Sequence, residues 1–267
     1  MHSLSGKDSA ESTAVAGGLD YTGSADWKGA LRLEWRGAAS SETLLGTAGI
    51  AYKINPAWTA LGTNLLSVAH NRGGVDKLDE WLQLGLAYRE PGANQVNALL
   101  RADLRHEQLS ENASATPAAD AFVSPASQRD VASLSAHLSV QHSPRLLLSG
   151  RAAAKWAMER SMGIATASQT QLLGGRATYD LDSRWDLGLQ AGVLLNAGAR
   201  ARQYGLGLEL GRLLGENLWL SVGWNLFGYS DKDLTAQDYT QPGVYLRLRW
   251  KFDEKTLRSL GDHEWVK

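Results

Sequence analysis

Three groupings in this sequence have the residue types that chemistry needs. Ser67, His70 and Asn71 lie within one short stretch and could supply a nucleophile, a base and its orienting group. In a strand, however, positions 67 and 70 differ in parity and point to opposite faces. Asp231, Asp233 and Asp238 share the segment SDKDLTAQDYT, where carboxylates could hold a divalent cation. A calcium loop needs Gly at its sixth position and Glu at its twelfth, and here those positions are Ala236 and Pro242. A solvated loop is therefore expected. GLGLELG at 205–211 approximates a nucleotide-binding glycine fingerprint, but its glycines alternate with Leu inside a strand pattern. Close packing or lumen space explains them better. His137 alternates with Ser133, Ser135, Ser139 and Gln141 on one polar face, and His106 and His142 fall near strand ends. No His pair has metal-ligand spacing, and no cofactor is expected.

The fourth grouping is spread along the whole chain. Lys28, Arg32, Glu34, Arg101, Asp103, Arg105, Arg151, Lys155, Glu159, Arg176, Glu209, Arg247, Arg249 and Lys251 alternate with apolar residues. If the sheet closes into a barrel, these side chains line its lumen. Cations outnumber anions in this set by 10 to 4. Such a lining could be a packed ion-pair network or a cation-lined channel for acidic solutes.

The elements that must position these charges are strands. Period-two alternation recurs nearly everywhere. Val244, Leu246, Leu248, Trp250 and Phe252 oppose Tyr245, Arg247, Arg249 and Lys251. Leu218, Leu220, Val222, Trp224 and Leu226 oppose Trp219, Ser221, Gly223 and Asn225. The pattern predicts 12 strands, at 26–36, 43–54, 58–70, 79–89, 95–107, 129–142, 146–159, 168–180, 184–195, 200–211, 217–229 and 241–252. Each is long enough for the roughly 9–11 residues of a tilted membrane strand. The phase of 58–70 is ambiguous, because Leu61 and Leu65 disagree with Leu66 and Val68. Short turns at Asn55-Pro56, Pro91-Gly92, Ser143-Pro144, Asp182-Ser183 and Gly215-Glu216 contrast with longer or more polar connections at 71–78, 108–128, 160–167 and 230–240. Aromatic residues sort by height. Trp27, Tyr52, Trp58, Tyr88, Tyr179, Trp185, Trp219 and Trp250 lie at the short-turn end, as membrane-interface residues would. Trp35, Trp81, Trp156, Tyr204 and Tyr229 lie at the other end.

The expected fold is thus all-β, a transmembrane antiparallel up-and-down β-barrel of about 12 strands. Composition agrees. The chain of 267 residues has 28 Gly and 10 Trp but only 3 Phe, and no cysteine. Disulfide scaffolds and thiolate chemistry are excluded, and a net charge of -1 argues against a nucleic-acid partner. No apolar run reaches the length of a membrane helix. The opening MHSLSGKDSAESTAVAGG is too polar for a secretory signal, so export implies a mature chain or part of a longer one. The expected organisation is a polar segment at 1–24, a barrel at 25–253 and a polar tail at 254–267.

The segments RATYDLDSRWDLGLQAGVLL, RQYGLGLELGRLLGENLWLSVGWNLFGYSDKDL and QDYTQPGVYLRLRWKFDE cover roughly the last third of the chain. They resemble the C-terminal barrel domain of large, repeat-containing bacterial surface proteins. The resemblance implies an anchor or translocator role below upstream repeat or passenger domains, and it carries no catalytic residues. The expected setting is the bacterial outer membrane, with both termini periplasmic. Expected partners are outer-membrane lipid and lipopolysaccharide, and the barrel-assembly machinery. A small anion-selective channel for oligosaccharides is the alternative, and an outer-membrane lipid hydrolase a distant one. The His-x-Ser-Asn-Gly pattern of such hydrolases is missing.

Overall fold

The computed structural model describes residues 12–72, 74–93, 95–111, 126–215, 218–229, 231, 233–234 and 241–250. They form thirteen strands, and no helix occurs among them. These are β1 (Ser12–Tyr21), β2 (Trp27–Ala38), β3 (Ser41–Lys53), β4 (Trp58–Asn71), β5 (Val75–Arg89), β6 (Val96–Glu111), β7 (Ser127–Ser143), β8 (Leu146–Ser161), β9 (Ile164–Asp180), β10 (Trp185–Asn196), β11 (Ala201–Gly215), β12 (Leu218–Phe227) and β13 (Gly243–Trp250). The strand order is the chain order, an up-and-down antiparallel sheet. Two compact units divide it, one of Met1–Ala136 with Ala154–Thr170 and one of His137–Ala153 with Gln171–Lys267. Phe252 and the 254–267 tail lie outside the described residues.

In both units the usual polarity of a folded chain is reversed. Leucines stand in the open: Leu19, Leu31, Leu33, Leu84, Leu104, Leu187, Leu189, Leu208 and Leu246 are all exposed. Covered residues lie on the alternate positions, where Glu34, Asp103, Asp186 and Glu209 are each less than 9% exposed. Alternation places the two classes on opposite faces of every strand. An apolar face of this extent is tolerable only against a non-aqueous solvent.

The sequence reading has twelve strands where the structure has thirteen. Ser12–Tyr21, placed in the polar N-terminal segment, pairs with β2 along its whole length, from Ser12↔Ala38 to Tyr21↔Gly29. Its Ala residues and Gly17-Gly18 dilute the alternation of Val15, Leu19 and Tyr21, which hides the strand. Two connections also differ. The 71–78 connection shrinks to 72–74, because β5 begins at Val75, where Asn71 Nδ2 donates to the Val75 carbonyl (2.5 Å). The 160–167 connection shrinks to Met162-Gly163, whose φ angles of 52° and 76° suit a primed hairpin turn. Polar residues there belong to strand ends rather than to loops. The ambiguous phase of β4 resolves with Leu on both faces: Leu65 pairs with Trp81 on the polar side, while Leu66 and Val68 lie on the apolar side.

Three turns share one device. Ser24 Oγ accepts the N–H groups of Asp26 and Trp27 at 3.1 and 3.3 Å. Asn55 Oδ1 accepts those of Ala57 and Trp58, both at 2.9 Å. Asp182 Oδ1 accepts those of Arg184 and Trp185 at 2.6 and 2.9 Å. Each side chain caps a tight turn locally and delivers a Trp as the first residue of the next strand, on its apolar face.

The reversed polarity predicts the effect of a charge on the apolar face. Leu208→Arg, in the middle of β11, should lower the stability of the lipid-embedded protein by about 2–4 kcal/mol. Urea unfolding in phospholipid vesicles measures this, and an unchanged midpoint would contradict the assignment of that face.

Candidate functional site

The polar face is where chemistry could occur, and in the second unit it is built as a checkerboard. Across β10, β11, β12 and β13 the register sets Gly188, Glu209, Gly223 and Tyr245 in one row. The row on one side is Asp186, Gly211, Ser221 and Arg247, and on the other Gln190, Gly207 and Asn225. Glycine stands wherever a neighbour is large. A Cβ on Gly223 would lie 2.2 Å from the Tyr245 ring, one on Gly207 2.3 Å from Asn225 Oδ1, and one on Gly211 2.5 Å from Asp186 Oδ1. The alternating glycines of 205–211 are thus seats for side chains, as close packing in a strand requires.

Those side chains satisfy one another. Arg176 grips Glu209 bidentately, with both contacts at 3.2 Å. Arg247 Nη1 approaches the same carboxylate at 3.2 Å, and the Tyr245 hydroxyl donates to it at 2.9 Å. Gln190 Nε2 donates to Asn225 Oδ1 at 2.8 Å, and Trp219 Nε1 donates to Asp186 Oδ2 at 2.7 Å. Beyond this layer Tyr229 seats against Gly192 and Gly205. It packs on a small apolar cluster of Ala153, Leu172, Leu194 and Leu234, and Arg151 donates to the Leu234 carbonyl. Asp231 Oδ1 accepts the N–H groups of Asp233 and Leu234, both at 3.0 Å, so this carboxylate shapes a turn. Asp238 lies outside the described residues.

In the first unit the same face carries ladders of ion pairs. Glu34 sits between Arg32 (3.1 Å) and Arg36 (2.5 Å) on its own strand. Asp103 accepts from Arg101 Nε at 2.9 Å, Gln83 Nε2 at 2.6 Å and Ser133 Oγ at 3.4 Å. Arg105 reaches Glu107 and Asp79, and Arg129 reaches Glu159 and Glu107. Between these ladders lies a hollow of about 760 Å³, whose lining includes Gly18, Arg32, Thr47, Gly49, Trp81 and Gln83.

Of the fourteen charges read from alternation, these pairs bring together Arg32 with Glu34, Arg101 with Asp103, and Arg176 and Arg247 with Glu209. Lys155 is buried, Lys28 is exposed, and Arg249 lies 5.7 Å over the Trp219 ring. Lys251 lies outside the described residues. Reasoning from alternation passed over Asp79, Glu107 and Arg129, although continuing the same parity to the strand ends would have found them. The excess of cations in the first set shrinks once these carboxylates join it.

The aromatic levels need correction. Trp27, stacked on Tyr21 at 4.0 Å, and Trp58, packed on Tyr88 at 4.9 Å, stand at the short-turn end with Tyr52, Tyr179, Trp185 and Trp250. Trp219 stands at that end too, but its bond to Asp186 puts it on the polar face, against its reading as an interface residue. At the opposite end Trp81 and Tyr229 also turn to the polar face. Parity, which height alone ignores, separates them. The triad reading of Ser67, His70 and Asn71 also fails. His70 Nδ1 pairs with Asp76 at 2.9 Å, Asn71 Nδ2 closes the turn to Val75, and Ser67 sits on the other face of β4.

No protein-family model matches this sequence. No curated protein matches it. Solved structures do match its fold. The siderophore receptor PirA from Pseudomonas aeruginosa superposes with a TM-score of 0.69 at 10% identity, over 91% of this chain and 49% of the receptor. A mutant of the ferric enterobactin receptor from Pseudomonas aeruginosa gives 0.68 at 9% identity, over 82% and 41%. BauA, the ferric preacinetobactin receptor from Acinetobacter baumannii, gives 0.54 at 13% identity, over 91% and 49%. The chain spans about half the length of these three structures or less. The likeness is one of fold, and the fold is that of a bacterial outer-membrane β-barrel protein.

The checkerboard makes a coupled prediction. Gly223→Ala should destabilise the protein by about 1–3 kcal/mol, because the new methyl collides with the Tyr245 ring. In a Tyr245→Ala background the same change should cost almost nothing. A double-mutant cycle in urea gives the coupling, and additive effects would show that the two positions do not share a seat.

Proposed function

We propose that this chain is the membrane-embedded part of a larger cell-surface protein, serving as its anchor or translocator. One observation carries the reading. The polar-face carboxylates are spent on holding the fold, since Glu34 and Glu209 each lie between two guanidinium groups. Charges clamped in this way are poorly placed to select a passing ion, whereas removing the guanidinium groups strands a covered carboxylate. The resemblance of the last third of the chain to barrels of repeat-containing surface proteins supports the same role. Upstream repeat or passenger domains, outer-membrane lipid with lipopolysaccharide, and the assembly machinery are then the partners.

The proposed orientation has the three Trp-delivering turns in the periplasm. The connections 112–126 and 228–242 support it, because both leave from the end opposite those turns, and long connections face outward in such barrels. Because there are thirteen antiparallel strands and not twelve, β1 starts at the opposite end, where Ser12 pairs with Ala38, and β13 ends at the end of the turns, which corrects the expectation that both termini are periplasmic. A small anion-selective channel is the second reading, favoured by the hollow in the first unit.

Planar-bilayer recording separates the two. The anchor should give no steady conductance, whereas a sustained anion-selective current would replace it with the channel. Orientation has its own test. A maleimide that cannot cross membranes should label Met162→Cys in intact cells but not Ser24→Cys, and the reverse pattern would invert the proposed topology.

A further inference from the structure

We infer that the hollow on the polar face of the first unit binds an uncharged saccharide, with Trp81 as its stacking wall. Two adjacent transverse rows of the sheet define the place. One row runs Gly18, Arg32, Thr47, Leu65 and Trp81 from β1 to β5. The next runs Asp20, Ala30, Gly49, Thr63 and Gln83. Large side chains stand at the two sides, Arg32 on β2 and Trp81 on β5. Between them β3 and β4 contribute Thr47, Gly49, Thr63 and Leu65. Three strand spacings separate the walls, about 14 Å, and the space encloses about 760 Å³.

The lining selects the chemistry. Trp81 is 36% exposed, and Arg105 lies 5.8 Å from the ring. The exposed part of an indole on a wet face offers an apolar plate to the C–H face of a sugar ring. Around it stand groups that donate and accept at once, the hydroxyls of Thr47 and Thr63 and the Gln83 amide, and one acceptor, the Asp20 carboxylate. Thr63 Oγ1 donates to Gln83 Oε1 at 3.1 Å, and Gln83 Nε2 donates to Asp103 at 2.6 Å, so the floor is held in one arrangement. An anionic ligand would need uncommitted cations. The guanidinium that lines the hollow, Arg32, is already shared with Glu34 at 3.1 Å, and the Asp20 carboxylate lines the same hollow. A neutral polyhydroxylated ligand fits that balance. The inference needs only that the polar face be wet, so it stands or falls independently of the anchor role.

Calorimetric titration of the full chain in detergent micelles tests it, with maltohexaose and cellohexaose as neutral probes and hexagalacturonate and ferric enterobactin as anionic ones. Saturable binding of a neutral probe is expected, weakened about tenfold by Trp81→Ala. Gly49→Leu should abolish it, because a Cβ at Gly49 meets nothing nearer than 3.9 Å and the longer side chain projects into the hollow. Trp156→Ala, on the apolar face of β8, should leave binding unchanged. A heat-dependent gel shift establishes that each variant is folded, and Gly49→Leu decides the matter if Trp81→Ala does not fold. No saturable binding of either neutral probe, a preference for the anionic probes, or affinity untouched by Gly49→Leu would each overturn the inference.

Discussion

A strand that shows its leucines to lipid has one face left for everything polar. That constraint governs the rest of this molecule. In an aqueous protein a charge can be left at the surface and solvated at no cost. Here the surface is apolar, with Leu246 at 71% and Leu19 at 69% exposure, and carboxylates such as Glu34, Asp103 and Glu209 are sent to the other face. Once there, each must find a counter-charge or a donor, because a covered and unpaired ion is expensive. Glu209 with its two arginines and a tyrosine, and Glu34 with its two arginines, are the outcome.

The same constraint accounts for the glycine content. Side chains such as arginine, tyrosine and glutamine cannot stand on adjacent strands of one face without collision. Alternating them with glycine across the register lets each lie flat over its neighbour. Gly188 beside Glu209, Gly207 beside Asn225 and Gly223 beside Tyr245 are instances. A residue type that weakens an isolated strand becomes the condition for dense polar packing. The two units differ in how far this goes. In the second, Tyr229 and Leu234 add an apolar plug to the polar face, whereas in the first a hollow is left between the ladders.

Much of this was legible in the residue order. Period two gave the strands, and parity gave most of the polar face, because a strand has only two sides. What parity could not supply was register. Nothing in the order of residues says that Glu209 stands beside Gly223, or that Arg32 and Trp81 close the two sides of one row. These are facts about strands brought together, and they decide which charges meet. Composition misled at Ser12–Tyr21, where alanines and a glycine pair mute the alternation of a fully paired strand. Height misled at Trp81, Trp219 and Tyr229, since an aromatic ring at the right level can still turn to the polar face.

The turn built from Ser24, Asn55 or Asp182 with a Trp three residues on has a wider consequence. Each such hairpin carries its own depth gauge: a local cap fixes where the strand starts, and an indole on the apolar face marks that level against the membrane. The strands need no long-range information to agree on height. Hairpins of this kind are interchangeable units. A pair of strands gained or lost in evolution would arrive already levelled, and the rest of the sequence would be free to drift while the architecture stayed.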